Sequence, residues 1–178
     1  SCRRVKIEGL AIRDSGGDAI YIGRKGRRKM PYCEDVVIRD VLCDGNNRQG
    51  ISVISVKNLL IEHCRLNNTS GSNPQAGIDF EPNSWSDLLQ GIVMRDCEVN
   101  GNAGSGIHFA LHKMRSRSVP VDALVENCSV DGNSRNYSFS QHVFDGDCVG
   151  GKVTARNCVF KNALYAGIYF NQKLPRST

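Results

Sequence analysis

Six times along this chain a hydrophobic couplet closes one strand, a short polar turn follows, and a second strand opens on Gly-Ile or a near equivalent. Superposing those units aligns Leu10, Val41, Cys64, Cys97, Cys128 and Cys158 in one column. Two residues later a second column reads Ile12, Cys43, Leu66, Val99, Val130 and Phe160. The strand after the turn supplies a third, at Ile20, Ile51, Ile78, Ile107, Phe144 and Ile168. Successive members lie about 23 to 37 residues apart. A period of that size with irregular loops describes a solenoid, because no unit can bury its apolar side without a neighbour. The segments are short, alternating and rich in β-branched residues, which excludes paired helices. The expected fold is all-β, a right-handed parallel β-helix of about six coils.

In such a stack the same position recurs about 4.8 Å away in the next coil, so like residues form ladders. Asn46, Asn102 and Asn133 share one turn position, where side-chain amides can bond along the stack and to the corner backbone. Gly45, Gly101 and Gly132 precede them, where the corner is expected to require positive φ. With 178 residues, 40% of them hydrophobic, the chain can bury one continuous core, and residues 1–178 are read as a single domain. No apolar run reaches membrane-spanning length, so no membrane partner is expected. The outermost coils lack an obvious polar cap, so an oligomer or a longer parent solenoid is anticipated.

The eight cysteines are read as mostly buried thiols. Cys64, Cys97, Cys128 and Cys158 fall in one inward column, where a free cysteine behaves as a small hydrophobe. Adjacent in-register strands hold Cβ atoms farther apart than the roughly 3.8 Å a disulfide prefers. Cys2, Cys33 and Cys148 lie outside that column, and sequence assigns them no partners. Zinc would need Cys-x-x-Cys pairs or nearby histidines, which the chain lacks.

Candidate chemistry lies between the inward positions of the third column. The outward residues are Tyr21, Ser52, Asp79, His108 and Tyr169, with Asp145 and Asp147 facing out if Phe144 faces in. Within Gly77-Ile78-Asp79-Phe80-Glu81-Pro82-Asn83, Asp79 and Glu81 are two apart on a strand. Both are expected to face out, with Cα atoms roughly 6.6 Å apart. One such carboxyl can protonate a glycosidic oxygen while the other acts as nucleophile or base. Mutual repulsion would raise the pKa of one of them. Solvated acids, a salt bridge from one of them to Arg48, and a Ca²⁺ held by both with loop carbonyls are the competing readings. Arg48 either orients a carboxylate or neutralises Asp44 or Glu81. His108, one coil beyond Asp79, suits a general base or a hydroxyl contact. His63 is read as a turn residue, and His112 and His142 receive no role.

Basic residues concentrate in two loops. Arg24, Lys25, Arg27, Arg28 and Lys29 follow the first Gly-Ile-like strand, and Lys113, Arg115 and Arg117 follow the fourth. Loops leaving equivalent strands emerge on one side, so these would bracket Asp79 across roughly 14 Å. Trp85, the single tryptophan, sits between them as a platform for a sugar ring. Tyr21, Trp85, Arg24, Lys25, Arg27, Lys113 and Tyr169 are therefore the candidate binding residues. The cationic loops favour a polyanionic ligand or simply keep the protein soluble. Nucleic acid is not expected, since no recognition motif or aromatic interleaving accompanies the charge.

The segments Arg48-Gln49-Gly50-Ile51-Ser52, Asn58-Leu59-Leu60-Ile61-Glu62 and Pro74-Gln75-Ala76-Gly77-Ile78-Asp79-Phe80-Glu81-Pro82-Asn83 resemble bacterial and phage right-handed β-helix proteins of the pectate-lyase-like superfamily. The resemblance is clear over about residues 34–110 and continues elsewhere as the coil pattern. It implies action on polysaccharide and an extracellular, cell-surface or virion setting. Gly-Ile-Asp-Phe-Glu-Pro is also loosely similar to the Asp-Pro-His segment of alginate epimerases, with Glu81 in place of histidine. Three functions follow. A glycoside hydrolase would use Asp79 and Glu81, with Arg48 and His108 orienting substrate. A lyase or C5-epimerase on a uronate glycan would use His108, Tyr21 or Arg48 for the C5 proton. A non-catalytic, tailspike-like solenoid would only bind.

Overall fold

Period-two alternation of Val, Ile and Leu with polar residues forms strands whose apolar face needs a partner. Here every strand finds it in the next coil. The computed structural model describes residues 2–24, 32–133, 137–144 and 147–173. Three six-stranded parallel sheets result, each with its strands stacked in chain order. The first sheet contains Arg3–Glu8, Cys33–Arg39, Val56–Glu62, Leu89–Arg95, Val121–Glu126 and Gly151–Arg156. The second is built from three-residue strands, from Ala11–Arg13 to Val159–Lys161. The third contains Asp18–Ile22, Gln49–Val53, Ala76–Phe80, Ile107–Ala110, Tyr137–Phe144 and Ala166–Lys173. A single 3₁₀ turn, Leu111–Lys113, is the helical structure among the described residues, and no helix is long and apolar enough to cross a membrane.

The core runs along the axis between the sheets. In the second expected column Ile12, Cys43 and Leu66 are in register, as are Val99, Val130 and Phe160, while in the first Val41, Cys64, Cys97 and Cys128 are buried and Leu10, in the first coil, is exposed. Phe80 and Phe109 stack at 4.4 Å in successive coils, and Phe139 continues the series 5.7 Å from Phe109. The expected fifth-coil register is corrected. Phe139, not Phe144, pairs with Ile107 and Ile168. The two phenylalanines are five residues apart, an odd interval, so choosing the wrong one exchanges the faces of the strand. Ser140 is consequently the outward residue beside His108. Asp147 is exposed beyond the strand, and Asp145 lies outside the described residues.

The expected asparagine ladder forms between Asn102 and Asn133, while Asn46 is separated from them by Thr69 and accepts from Ser15 instead. Asn102 Nδ2 donates to Asn133 Oδ1 at 2.9 Å and to Leu66 O at 3.0 Å, while its Oδ1 accepts from Thr69 N at 3.0 Å. Gly101 before it has φ +66°, and a Cβ there would meet Asn68 Oδ1 at 2.6 Å; the same corner is taken at positive φ by Asp14, Asn68 and Asn162 in other coils. Among the cysteines, Cys64, Cys97 and Cys128 are buried free thiols and Cys158 is partly buried. Each donates to the carbonyl two residues before it, Cys97 to Arg95 O at 3.1 Å for example.

A further ladder runs two residues before the first apolar column. Glu8, Arg39, Glu62, Arg95, Glu126 and Arg156 are successive register partners, alternating in sign through all six strands. Glu62 is nearly buried and is held by both Arg39 and Arg95, the latter at 2.6 Å. Each rung therefore meets opposite charge on its neighbours, which favours this register of the stack.

Candidate active site

Ile78 and Phe80 are completely buried in the core cluster, so strand parity sends the Asp79 side chain to the other face of the third sheet. Tyr21, Ser52, Asp79, His108, Ser140 and Tyr169 are in register across the six strands. The expected stripe thus exists, with Ser140 completing it. Its residues are unequally accessible: Tyr21 is 58% exposed, whereas Asp79 is only 2% exposed. The expectation of two solvent-facing carboxyls is corrected for Asp79. It faces away from the core and is nevertheless sealed from water.

Arg48 organises the entrance. Its Nη1 donates to both Asp18 oxygens at 3.2 and 3.1 Å, and its Nη2 to both Glu81 oxygens at 3.0 and 3.1 Å. Ser52 Oγ donates to Glu81 Oε1 at 3.1 Å. Glu81 is therefore a salt-bridged carboxylate, the competing reading set out for it above. Asp18, not Asp44, is the second partner, because it stands opposite Gln49 in the register, beside Arg48. Asp44 is instead taken by Arg13.

Asp79 has the opposite environment. Burial, then the neighbouring Glu81 charge, holds its carboxyl well above the usual carboxylate range, and the hydrogen bond from Gln49 only partly opposes this. Gln49 Nε2 donates to Asp79 Oδ2 at 3.0 Å, while Asp79 Oδ1 and Gln49 Oε1 are both buried without a hydrogen-bond partner. Asp79, on the strand, is thus a desolvated acid with a raised pKa, and Glu81, one residue past the strand's end, is an ion-paired carboxylate. Beside it, His108 Nδ1 lies 2.6 Å from Ser140 Oγ, which is 3.3 Å from Ser105 Oγ. Burial, followed by the charges of Glu81 and Asp18, pushes the Tyr21 hydroxyl up.

Loops from several coils meet over this face. Arg24 reaches Asp87 of the third-coil loop at 2.5 Å, so it is engaged within the protein. Burial pushes the Asp87 carboxyl up and Arg24 opposes it. Ser118 Oγ donates to Trp85 O at 2.7 Å, and the Arg117 guanidinium lies 4.3 Å from the Trp85 ring centre. Trp85 is 46% exposed. One indole face is covered by a cation and the ring remains partly open. Ser116 N donates to Asp147 Oδ1 at 2.8 Å, joining the fifth coil to the same wall. Lys113 is exposed on the 3₁₀ turn. Lys25 and Arg27 lie outside the described residues. No group of three or more His, Cys, Asp or Glu among the described residues is placed to hold a metal ion.

Sequence reasoning missed Asp18, Gln49, Asp87 and Ser140. Gln49 carried a usable signal, a polar residue two before the core residue Ile51 at a position of core parity. Asp87 carried none, since its partner lies 63 residues away in another loop.

A solenoid of three parallel sheets with a polar stripe on one outer face defines a class of β-helix proteins. The chain belongs to the right-handed beta helix region family, which it matches over residues 1–118. No curated protein matches the sequence. Among solved structures, the Azotobacter vinelandii mannuronan C-5 epimerase AlgE4 A-module aligns with 98% of this chain at 10% identity and a TM-score of 0.33. The chain spans 56% of that module.

Proposed function

We propose that the outer face of the third sheet is a polysaccharide-cleaving site of hydrolase type, with Asp79 as general acid and Glu81 as the charged partner. The observation that carries this reading is the contrast between two neighbouring carboxyls, Asp79 buried with a raised pKa and Glu81 partly exposed and held by Arg48. Burial and the Glu81 charge push the Asp79 carboxyl well above the usual carboxylate range, and its Oδ1 has no partner within the protein. An acid of that kind donates a proton to a leaving oxygen once substrate displaces its cover. Arg48 and Ser52 hold Glu81 in one orientation, while Tyr21, His108 and Trp85 offer aromatic and hydrogen-bonding contacts to sugars on either side.

Lyase or epimerase chemistry on a uronate glycan is the second reading, and the basic loop residues around Trp85 support it. Arg48 would not be its base, because two carboxylates hold the guanidinium protonated. His108 or Tyr21 would take that role. A binding-only solenoid is favoured by one observation, the 2% exposure of Asp79.

The test is incubation with neutral and acidic polysaccharides, following reducing ends and ultraviolet absorbance together. New reducing ends without absorbance, reduced about 100-fold or more in Asp79→Asn and Glu81→Gln, are expected. Absorbance from unsaturated products would transfer the assignment to a lyase. Retained glycan binding with neither signal, unaltered by both substitutions except in affinity, would leave a binding solenoid.

A further inference from the structure

Cys2 and Cys33 were left without partners by the sequence, and the fold brings them together. Glu34 N donates to Cys2 O at 2.9 Å and Arg3 pairs with Glu34, so the two cysteines are neighbours on successive coils. Their sulfurs are 3.4 Å apart. In-register strands hold Cβ atoms farther apart than a disulfide prefers, but here the sulfurs already touch and the Cα spacing of about 4.8 Å between strands lies within the roughly 4.4–6.8 Å a disulfide spans, so a small shift of the chain before Arg3 closes the bond. Cys2 is exposed and Cys33 buried, so one sulfur is open to a reagent and the other can resolve the product. The Cys64, Cys97 and Cys128 thiols differ in that none of them is exposed to a reagent.

We propose that Cys2 and Cys33 form a dithiol site that is oxidised to an inter-coil disulfide by exchange with a low-molecular-weight disulfide such as oxidised glutathione. The Cys2 thiolate attacks one glutathione sulfur, forming a mixed disulfide and releasing one glutathione thiolate. Cys33 then loses its proton and attacks the Cys2 sulfur, forming the protein S–S bond and expelling the second glutathione. Two protein thiols are oxidised, one glutathione disulfide is reduced, and the two protons end on the two glutathione thiols. Burial and the neighbouring Cys33 sulfur push the Cys2 thiol up, so the exchange speeds up as pH rises.

The consequence reaches the loop at the candidate site. The bond closes the whole first coil, which contributes Asp18 and Tyr21. It also removes the proton that Cys33 donates to Gly23 O at 3.3 Å, one residue before Arg24. Arg24 is the residue that crosses to Asp87.

The experiment is treatment of the folded chain with oxidised glutathione at pH 8, followed by thiol titration under denaturing conditions and peptide mapping, compared with Cys2→Ser and Cys33→Ser. Loss of two of the eight thiols, a peptide joining Cys2 to Cys33, and glutathione retained on Cys2 only in Cys33→Ser are expected. The treated parent should also melt at a higher temperature, with no such rise in treated Cys2→Ser. Glutathione persisting on Cys2 of the parent, joining of a different pair, absence of reaction, or a lowered melting temperature would each overturn the assignment.

Discussion

Replacing Arg48 with methionine separates an organised ion-pair site from a chance contact. Methionine keeps an apolar stem of similar reach and removes the four guanidinium bonds to Asp18 and Glu81. The side chains of Arg48, Asp18 and Glu81 are 33%, 10% and 20% exposed, between the limits of a surface and a buried pair. Surface pairs contribute about 0.2–1 kcal/mol, and removing one partner of a buried pair costs about 3–5 kcal/mol. Arg48→Met should therefore destabilise the fold by about 2 kcal/mol, leaving two carboxylates facing each other. Urea unfolding of Arg48→Met, Glu81→Gln and the double variant isolates the pair, and a coupling energy of about 1 kcal/mol is expected. Arg48 also lowers the Asp79 pKa, so its removal should hold Asp79 neutral to still higher pH. A coupling energy below about 0.3 kcal/mol, the range of independent sites, would refute the argument.

Two other outcomes follow from the buried polar groups. Asp79 has a raised pKa in the folded chain, so folding binds a proton that the unfolded chain has released. Its favourable contribution is complete below the unfolded carboxylate value, about pH 4, and is lost as pH rises through the folded value. Asp79→Asn should consequently gain stability relative to the parent as pH rises, with the difference shrinking toward pH 4, as read by thermal melts across pH. Asn102→Ala should cost about 3 kcal/mol in urea unfolding, because it orphans Thr69 N and Leu66 O, each worth about 1–3 kcal/mol when buried and unpaired. Asn102→Asp should not rescue it at neutral pH, since a carboxylate cannot donate to Leu66 O.

The coil count, the inward columns and the asparagine corner were readable because each depends on local alternation repeated at a fixed offset. Asn102 and Gly101 announce their corner through residue type alone. The fifth coil was misread where this redundancy failed. Its strand lacks the Gly-Ile marker and offers Phe139 and Phe144 at opposite parity. The alternating column from Glu8 to Arg156 was readable in principle, since it sits two residues before a column already aligned.

Sequence by itself determined that Asp79 faces away from Ile78 and Phe80, because strand parity is a local property. It also placed Tyr21, Ser52 and His108 on the neighbouring rungs, because a constant coil fixes register. Only the tertiary structure decided that Asp79 is sealed, with its pKa pushed up, while Glu81 is clasped by Arg48. Those states depend on Asp18, Gln49 and the surrounding desolvation, contributed by residues about 30 or more positions away. The same holds for Cys2 and Cys33 and for Arg24 and Asp87. Contact between distant side chains is set by how coils and loops stack, and the local pattern of the chain carries no record of it.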